Sequence, residues 1–269
     1  MQDFKGKVCI VTGAASGIGK ACAEEIGLRC KAKLTINDIN EEGLQKTLQE
    51  IRKKGGEAIA VAGDLCDQEV VDRIVSETVS TYGRLDFLSS NAAAVSFAYT
   101  GRDRAFDQFD ADYVEETFRI NTVTGFRLIK ACIPEMLKNG KGAIVCISSV
   151  AARFGAAGNN IYGMSKAALE ALVRGTAALY GRQGIRVNVV EPSNTITPAL
   201  LETIPEEQFG VMKLGIFNPG FTDGSGIATV VSFLLSDDAY TIQGATIPAD
   251  NGYSIVQGMA AAFEAAAKK

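Results

Sequence analysis

Residues 7–30 read KVCIVTGAASGIGKACAEEIGLRC, and their order decides the fold. Residues 7–12 form a short apolar, β-branched run, the pattern of a buried strand. The chain then passes through Gly13-Ala14-Ala15-Ser16-Gly17-Ile18-Gly19 directly into a helical pattern. A strand, a glycine turn and a helix in that order make a dinucleotide phosphate site. Glycine lets the backbone approach the pyrophosphate, and the helix start supplies free N–H groups and a favourable dipole. The spacing Gly-x-x-x-Gly-x-Gly differs from the general Gly-x-Gly-x-x-Gly fingerprint.

The same alternation continues downstream. Residues 33–38 (KLTIND) read as a second strand ending in Asp38, nineteen residues after Gly19. A carboxylate there accepts hydrogen bonds from ribose hydroxyls and repels a 2′-phosphate. No Arg or Lys lies at 14–16 or 39–40, where a 2′-phosphate would want a cation, so NAD is preferred over NADP. Residues 41–54 carry Leu44, Leu48 and Ile51 at helical spacing; 57–62 read as a third strand, 70–82 as a helix and 85–90 as a fourth strand. A helix over about 113–139 precedes a strand at 142–147, and another runs to about Gly181 before a strand at 185–190. Residues 225–235 read as a further helix, and 245–252 as a last strand and turn. Helices separating strands at this rhythm demand a parallel sheet with right-handed crossovers. The expected class is α/β: one doubly wound Rossmann-type domain over 1–257, with a mostly parallel, about seven-stranded sheet. Residues 258–269 form a helix-prone tail with little to bury.

Composition narrows the function. The chain has 269 residues, 47% of them hydrophobic, a net charge of −4 and no histidine. That balance argues against nucleic acid, and no run of about 18 apolar residues reads as a membrane span. The N-terminus lacks a leader-like apolar run, so the expected location is cytoplasmic. Six cysteines occur without a C-x-x-C, which suits buried thiols in a reducing compartment and predicts no metal site. Without histidine no Ser-His-Asp or Cys-His mechanism is open, and acid/base work falls to another shifted group.

Residues 148–166, SSVAARFGAAGNNIYGMSK, offer such a group. Tyr162 and Lys166 are four apart and share one helical face. An ammonium there favours the phenolate and would draw a tyrosine pKa down from about 10. Ser149 follows the strand at 142–147, where its hydroxyl can meet the phenol over one substrate oxygen. Asn121 interrupts the apolar repeat Phe118, Ile120, Val123, Phe126, Ile129, a position where it can bend the helix or hold a water.

These residues together resemble the short-chain dehydrogenase/reductase family over essentially the whole chain. The matching motifs are Thr12 to Gly19, Asp38, Asp64-Leu65, Asn91-Ala92, Asn121, Ser149, Tyr162-x-x-x-Lys166, and Pro192 with Thr197. The resemblance implies reversible hydride transfer between a nicotinamide cofactor and an alcohol or ketone. It implies Tyr162 as acid/base, Ser149 polarising the substrate oxygen, Lys166 lowering the tyrosine pKa and holding the ribose, and Asn121 positioning a relay water. The implied cofactor wall is Gly13, Ser16, Gly17, Ile18, Gly19, Asp38, Asp64, Leu65, Asn91, Ala92, Ala93, Pro192, Thr195 and Thr197, with Tyr162 and Lys166. A homotetramer or homodimer is implied as well, built through the helices at about 113–139 and 162–181.

Three turns depart from the family pattern. Ser90-Asn91-Ala92-Ala93 stands for Asn-Asn-Ala-Gly, Pro192-Ser193 for Pro-Gly, and Ala249-Asp250-Asn251-Gly252 for Asp-Gly-Gly. The first two put a side chain where glycine allows close approach to the cofactor.

Residues 195–221 are apolar and broken by Pro198, Pro205 and Pro219, a pattern expected of a mobile substrate lid. Val95, Phe97, Phe154, Ile196, Leu200, Leu201, Phe209, Met212 and Phe217 are candidate substrate-lining residues. That apolar set points to a hydroxysteroid or bile acid, an aromatic ketone or an acyl compound. Two other classes share the fold: a non-catalytic NAD sensor or scaffold, and a sugar-nucleotide epimerase or dehydratase, which would need a larger C-terminal substrate domain.

Overall fold

The strand run after Lys7 forms β1 (Val8–Thr12), and the glycine turn leads into α1 (Gly17–Glu24), as the sequence predicts. The computed structural model describes residues 2–94, 102–103, 105–155, 159–198, 201 and 222–255. The next elements are β2 (Lys33–Asp38), α2 (Glu41–Lys53), β3 (Ala58–Ala62), α3 (Gln68–Tyr82) and β4 (Phe87–Ser90). Then come α4 (Ala111–Phe118), α5 (Thr124–Lys138), β5 (Gly142–Ile147), α6 (Asn160–Tyr180) and β6 (Ile185–Pro192). A short pair, β7 (Thr195–Ile196) and β8 (Thr222–Asp223), precedes α7 (Gly224–Leu235) and β9 (Thr246–Ala249).

Seven strands pair in parallel in the order β3-β2-β1-β4-β5-β6-β9. Both faces are covered, and alternate side chains feed two apolar layers. In β5, Ala143, Val145 and Ile147 join α1, α2 and α7, whereas Ile144 and Cys146 join α3, α5 and α6. This two-sided burial explains why the strands read as continuous apolar runs and not as alternating ones.

The order turns back between β1 and β4, and their carboxyl ends open a crevice there. Thr12 ties its two lips. Its buried hydroxyl accepts from the backbone N–H of Asn91 at 3.1 Å and of Ala92 at 3.3 Å. The Asn91 amide donates in return to the Thr12 carbonyl at 3.1 Å.

Two features differ from the sequence expectation. The single helix expected over 113–139 is α4 and α5 joined by a π-helical segment, Arg119–Val123, with Asn121 inside it. The β7–β8 ladder is new; it pairs Thr195 with Thr222 and Ile196 with Asp223, joining the start of the stretch expected to be a lid to the two residues that follow it. Residues 199–200 and 202–221 of that stretch, the 258–269 tail, and Val95, Phe97, Leu200, Phe209, Met212 and Phe217 lie outside the described residues.

Candidate active site

Glycine geometry builds the cofactor end. Gly13 and Gly17 hold φ of 66° and 56°, where a side chain is strained. A Cβ on Gly19 would lie 2.0 Å from the Gly13 carbonyl oxygen, so α1 can start this close to the turn only with glycine there. Ser16 precedes α1 with extended backbone and makes no side-chain cap, so its hydroxyl does not occupy the helix start. The Thr197 methyl lies 3.2 Å from where a Gly17 Cβ would stand, closing the turn from the far side.

Asp38 ends β2 and is held by the backbone. One carboxylate oxygen accepts from Ala15 N–H and the other from Asn40 N–H, each at 2.9 Å. The helix that follows is capped instead by Asn40, whose side chain accepts from Gly43 N–H at 3.0 Å. Asp38 is therefore not that helix's cap. It faces the crevice.

At the other end, Ser149 leaves β5 and caps a turn over Val150–Ala152, its hydroxyl accepting from Ala151 N–H at 3.2 Å. Tyr162 stands in the first turn of α6, 8% exposed, and Lys166 lies one turn on, 1% exposed. The Lys166 ammonium donates to the Ile147 carbonyl at 2.9 Å and stands 5.7 Å from the centre of the Tyr162 ring. Burial draws its pKa from 10.5 down to about 8, against the opposing pull of Cys146 and Glu170. The Ser149 turn reaches the helix because residue 163 is glycine: a Cβ there would meet the Ala151 carbonyl oxygen at 2.4 Å.

Asn121 is buried and does not line the cleft. Its amide oxygen accepts from Ala94 N–H at 2.9 Å and its amide nitrogen donates to the Ser165 hydroxyl at 3.0 Å. Ser165 in turn donates to the Tyr162 carbonyl at 2.7 Å. Both ends of the Asn121 side chain thus tie the loop after β4 to the helix bearing Tyr162.

One cleft of about 460 Å³ joins the two ends. Its walls bring together Gly13, Ser16–Gly19, Asp38, Asn91–Ala93, Ser149, Tyr162, Lys166, Pro192, Thr195 and Thr197. Asp64 and Leu65 border a second cavity of about 400 Å³ that shares Gly13, Asp38, Ala92 and Ala93 with the first. Of the candidate substrate-lining residues, Phe154 borders the cleft, 47% exposed; Ile196 and Leu201 are exposed and are not on its wall. The glycine turn, the uncapped helix start and the held carboxylate fit a nicotinamide dinucleotide lying along this crevice.

Several wall residues escaped sequence reasoning. Asn159, Asn194 and Tyr253 line the cleft, and Arg119 lines the second cavity. Gly163 did carry a signal, because a glycine inside a helix marks close backbone approach. Ser193, standing where the family has glycine, turns its hydroxyl to the Asp250 carbonyl at 2.9 Å.

Known proteins resemble this chain over most of its length. A family profile described as enoyl-(acyl carrier protein) reductase matches residues 13–254. The chain belongs to the short-chain dehydrogenase/reductase family. An uncharacterized oxidoreductase of Thermotoga maritima is 36% identical, covering 95% of this chain and all of that one. A 2,5-dichloro-2,5-cyclohexadiene-1,4-diol dehydrogenase of Sphingobium indicum is 32% identical, covering 93% and 97%. The solved structure of a 7α-hydroxysteroid dehydrogenase with NADH and 7-oxo glycochenodeoxycholic acid superposes with a TM-score of 0.85. It is 30% identical and covers 91% of this chain and 93% of that one. These family members support an oxidoreductase, a dehydrogenase or reductase of small molecules. Among the described residues no helix is long and apolar enough to cross a membrane, and no cluster suited to a metal ion occurs.

Proposed function

We propose that this family member is an NAD(H)-dependent oxidoreductase interconverting a secondary alcohol and a ketone. The observation that carries the reading is that one cleft joins the glycine turn and Asp38 to Ser149, Tyr162 and Lys166. Gly13 to Gly19 would hold the pyrophosphate, Asp38 the adenosine ribose and Lys166 the nicotinamide ribose. When bound, the nicotinamide accepts or supplies the hydride. The Tyr162 phenol holds the proton that leaves or joins the substrate oxygen, and the Ser149 hydroxyl donates to that oxygen and orients it. The Lys166 ammonium favours the phenolate over the phenol. Asn121 serves this group by fixing Ala94 and Ser165, and through Ser165 the first turn of α6.

The proposed substrate is bulky and hydrophobic, of hydroxysteroid, bile-acid, aromatic or acyl type. The exposed Phe154 ring at the cleft and the bile acid bound by the solved relative support that class. Residues 1–257 are proposed as one domain, active in the cytoplasm as a homotetramer or homodimer. Exposed Val123, Phe126, Met164 and Leu179 on or beside α5 and α6 support assembly through those helices.

Incubation with NAD and a panel of secondary alcohols, following reduced-nicotinamide absorbance, tests the reading. Tyr162→Phe should lower kcat by about 10²- to 10⁴-fold and leave NADH affinity within about threefold. A variant as active as the wild type would overturn it.

A further inference from the structure

Behind the proposed catalytic group lies a carboxyl pair that the hydride chemistry does not use. Glu191 precedes Pro192 at the end of β6 and is 0% exposed; Glu170 lies one helical turn beyond Lys166 on α6 and is 8% exposed. Glu191 accepts from Arg153 Nε at 2.5 Å through Oε2, while its Oε1 is buried without a hydrogen-bond partner. Glu170 Oε1 accepts from the Ser148 hydroxyl at 2.7 Å, and its Oε2 lies 3.9 Å from Arg174. The two carboxyls interact directly, and two buried carboxylates in contact cannot both hold full charge. One proton between them gives the stranded oxygen a partner and removes the repulsion.

The partners at either end give the pair a purpose. Ser148 and Arg153 bracket Ser149 and its turn, so a proton between the carboxyls completes a circuit from Ser148 through Glu170 and Glu191 to Arg153. That circuit spans the strand, the turn, the helix and the Pro192 rim of the cleft. We propose that Glu170 and Glu191 share one proton and are positioning residues, holding the Ser149 turn against the helix that carries Tyr162 and Lys166. This role rests on the oxidoreductase reading above; the shared proton does not.

The charged groups acting on Glu191 are Glu170 from α6 and Arg153 from the turn, and Glu170 is in turn faced by Lys166 and Arg174 of its own helix. Burial first, then Glu170, push the Glu191 carboxyl from 4.5 up to about 7, with Arg153 pulling the other way. A carboxyl whose pKa rises on folding contributes stability below about pH 4.5, and loses that contribution as the pH climbs through about 7.

Chemical denaturation of wild type, Glu191→Gln, Glu170→Gln and Glu191→Leu between about pH 5 and pH 8.5 reads the shared proton. Wild-type stability should fall across that window, and either Gln variant, whose amide supplies a permanent donor, should flatten the fall. In turnover at about pH 6.5, Glu191→Gln should stay within about threefold of wild type, whereas Glu191→Leu should lose about tenfold or more in kcat with NADH affinity unchanged. An equal pH slope in wild type and both Gln variants overturns the shared proton. A fully active Glu191→Leu overturns the positioning role. If the Leu variant does not fold, Glu191→Gln takes its place: alkaline loss of kcat in wild type that Glu191→Gln removes supports the role, and an unchanged pH profile overturns it. A wild type that neither binds reduced nicotinamide nor turns over defeats the oxidoreductase reading and the positioning role with it, while the stability slope still decides the shared proton.

Discussion

Lys166 Nζ donates to the carbonyl of Ile147, the last residue of β5, across 2.9 Å in a site where the lysine is 1% exposed. The bond anchors the central helix to the strand that delivers Ser149. It also gives a buried ammonium a fixed acceptor, without which its desolvation would be uncompensated.

That burial has a pH signature. A lysine whose pKa falls from 10.5 to about 8 on folding destabilises the native state most below about pH 8, and the penalty fades as the pH rises toward 10.5. The stability of the wild type minus that of Lys166→Met should therefore rise by about 3 kcal/mol across that window. Denaturant titrations at each pH measure it, and a flat difference would mean that the ammonium is not desolvated.

Gly19→Ala places its new Cβ against the Gly13 carbonyl oxygen, where an unchanged backbone has no room. An overpacking cost of about 1–3 kcal/mol corresponds to NADH binding weakened roughly 5- to 150-fold if the turn must distort to receive the pyrophosphate. Quenching of reduced-nicotinamide fluorescence reads this directly; unaltered affinity would show that the phosphates lie elsewhere.

Asp38→Asn keeps an oxygen for one of the two backbone N–H groups now bound and removes the charge that would repel a 2′-phosphate. The ratio of NADH to NADPH affinity should fall by about tenfold, the size expected for one hydrogen bond to a charged group. Parallel titrations with the two cofactors give the ratio, and an unchanged one removes Asp38 from cofactor choice.

Asn121→Ala strands the Ala94 N–H and leaves the Ser165 hydroxyl without its donor. A loss of about 1–3 kcal/mol in stability is expected, together with a fall in kcat, because Ser165 holds the Tyr162 carbonyl. Thermal unfolding and steady-state kinetics on the same preparation separate the two effects. A stability loss with kcat intact would confine Asn121 to packing.

Much of this protein was legible in its sequence, for a local reason. Gly13 to Gly19 lies between a strand and a helix, so the order of elements and the phosphate turn are properties of one short stretch. The same holds for Tyr162 and Lys166, which any helix would place on one face. Apolar runs buried on both faces announced the parallel sheet before its strand order was known.

What only the tertiary structure decided depends on residues far apart in the chain. Asn121 reads as an odd residue in an apolar helix, and its partners Ala94 and Ser165 are brought to it by the loop after β4 and by α6. Glu170 and Glu191 look like ordinary surface carboxylates until β6 packs beside α6 and takes both out of water. Tyr253 reaches the cleft through a turn whose N–H groups at Gly252 and Ser254 are held by the Asp250 carboxylate, a placement no local pattern announces. Periodicity and propensity act over one or two turns of chain, so they determine the elements. Hydrogen-bond pairing and desolvation act across the fold, so they determine which side chains share a site and in what charge state.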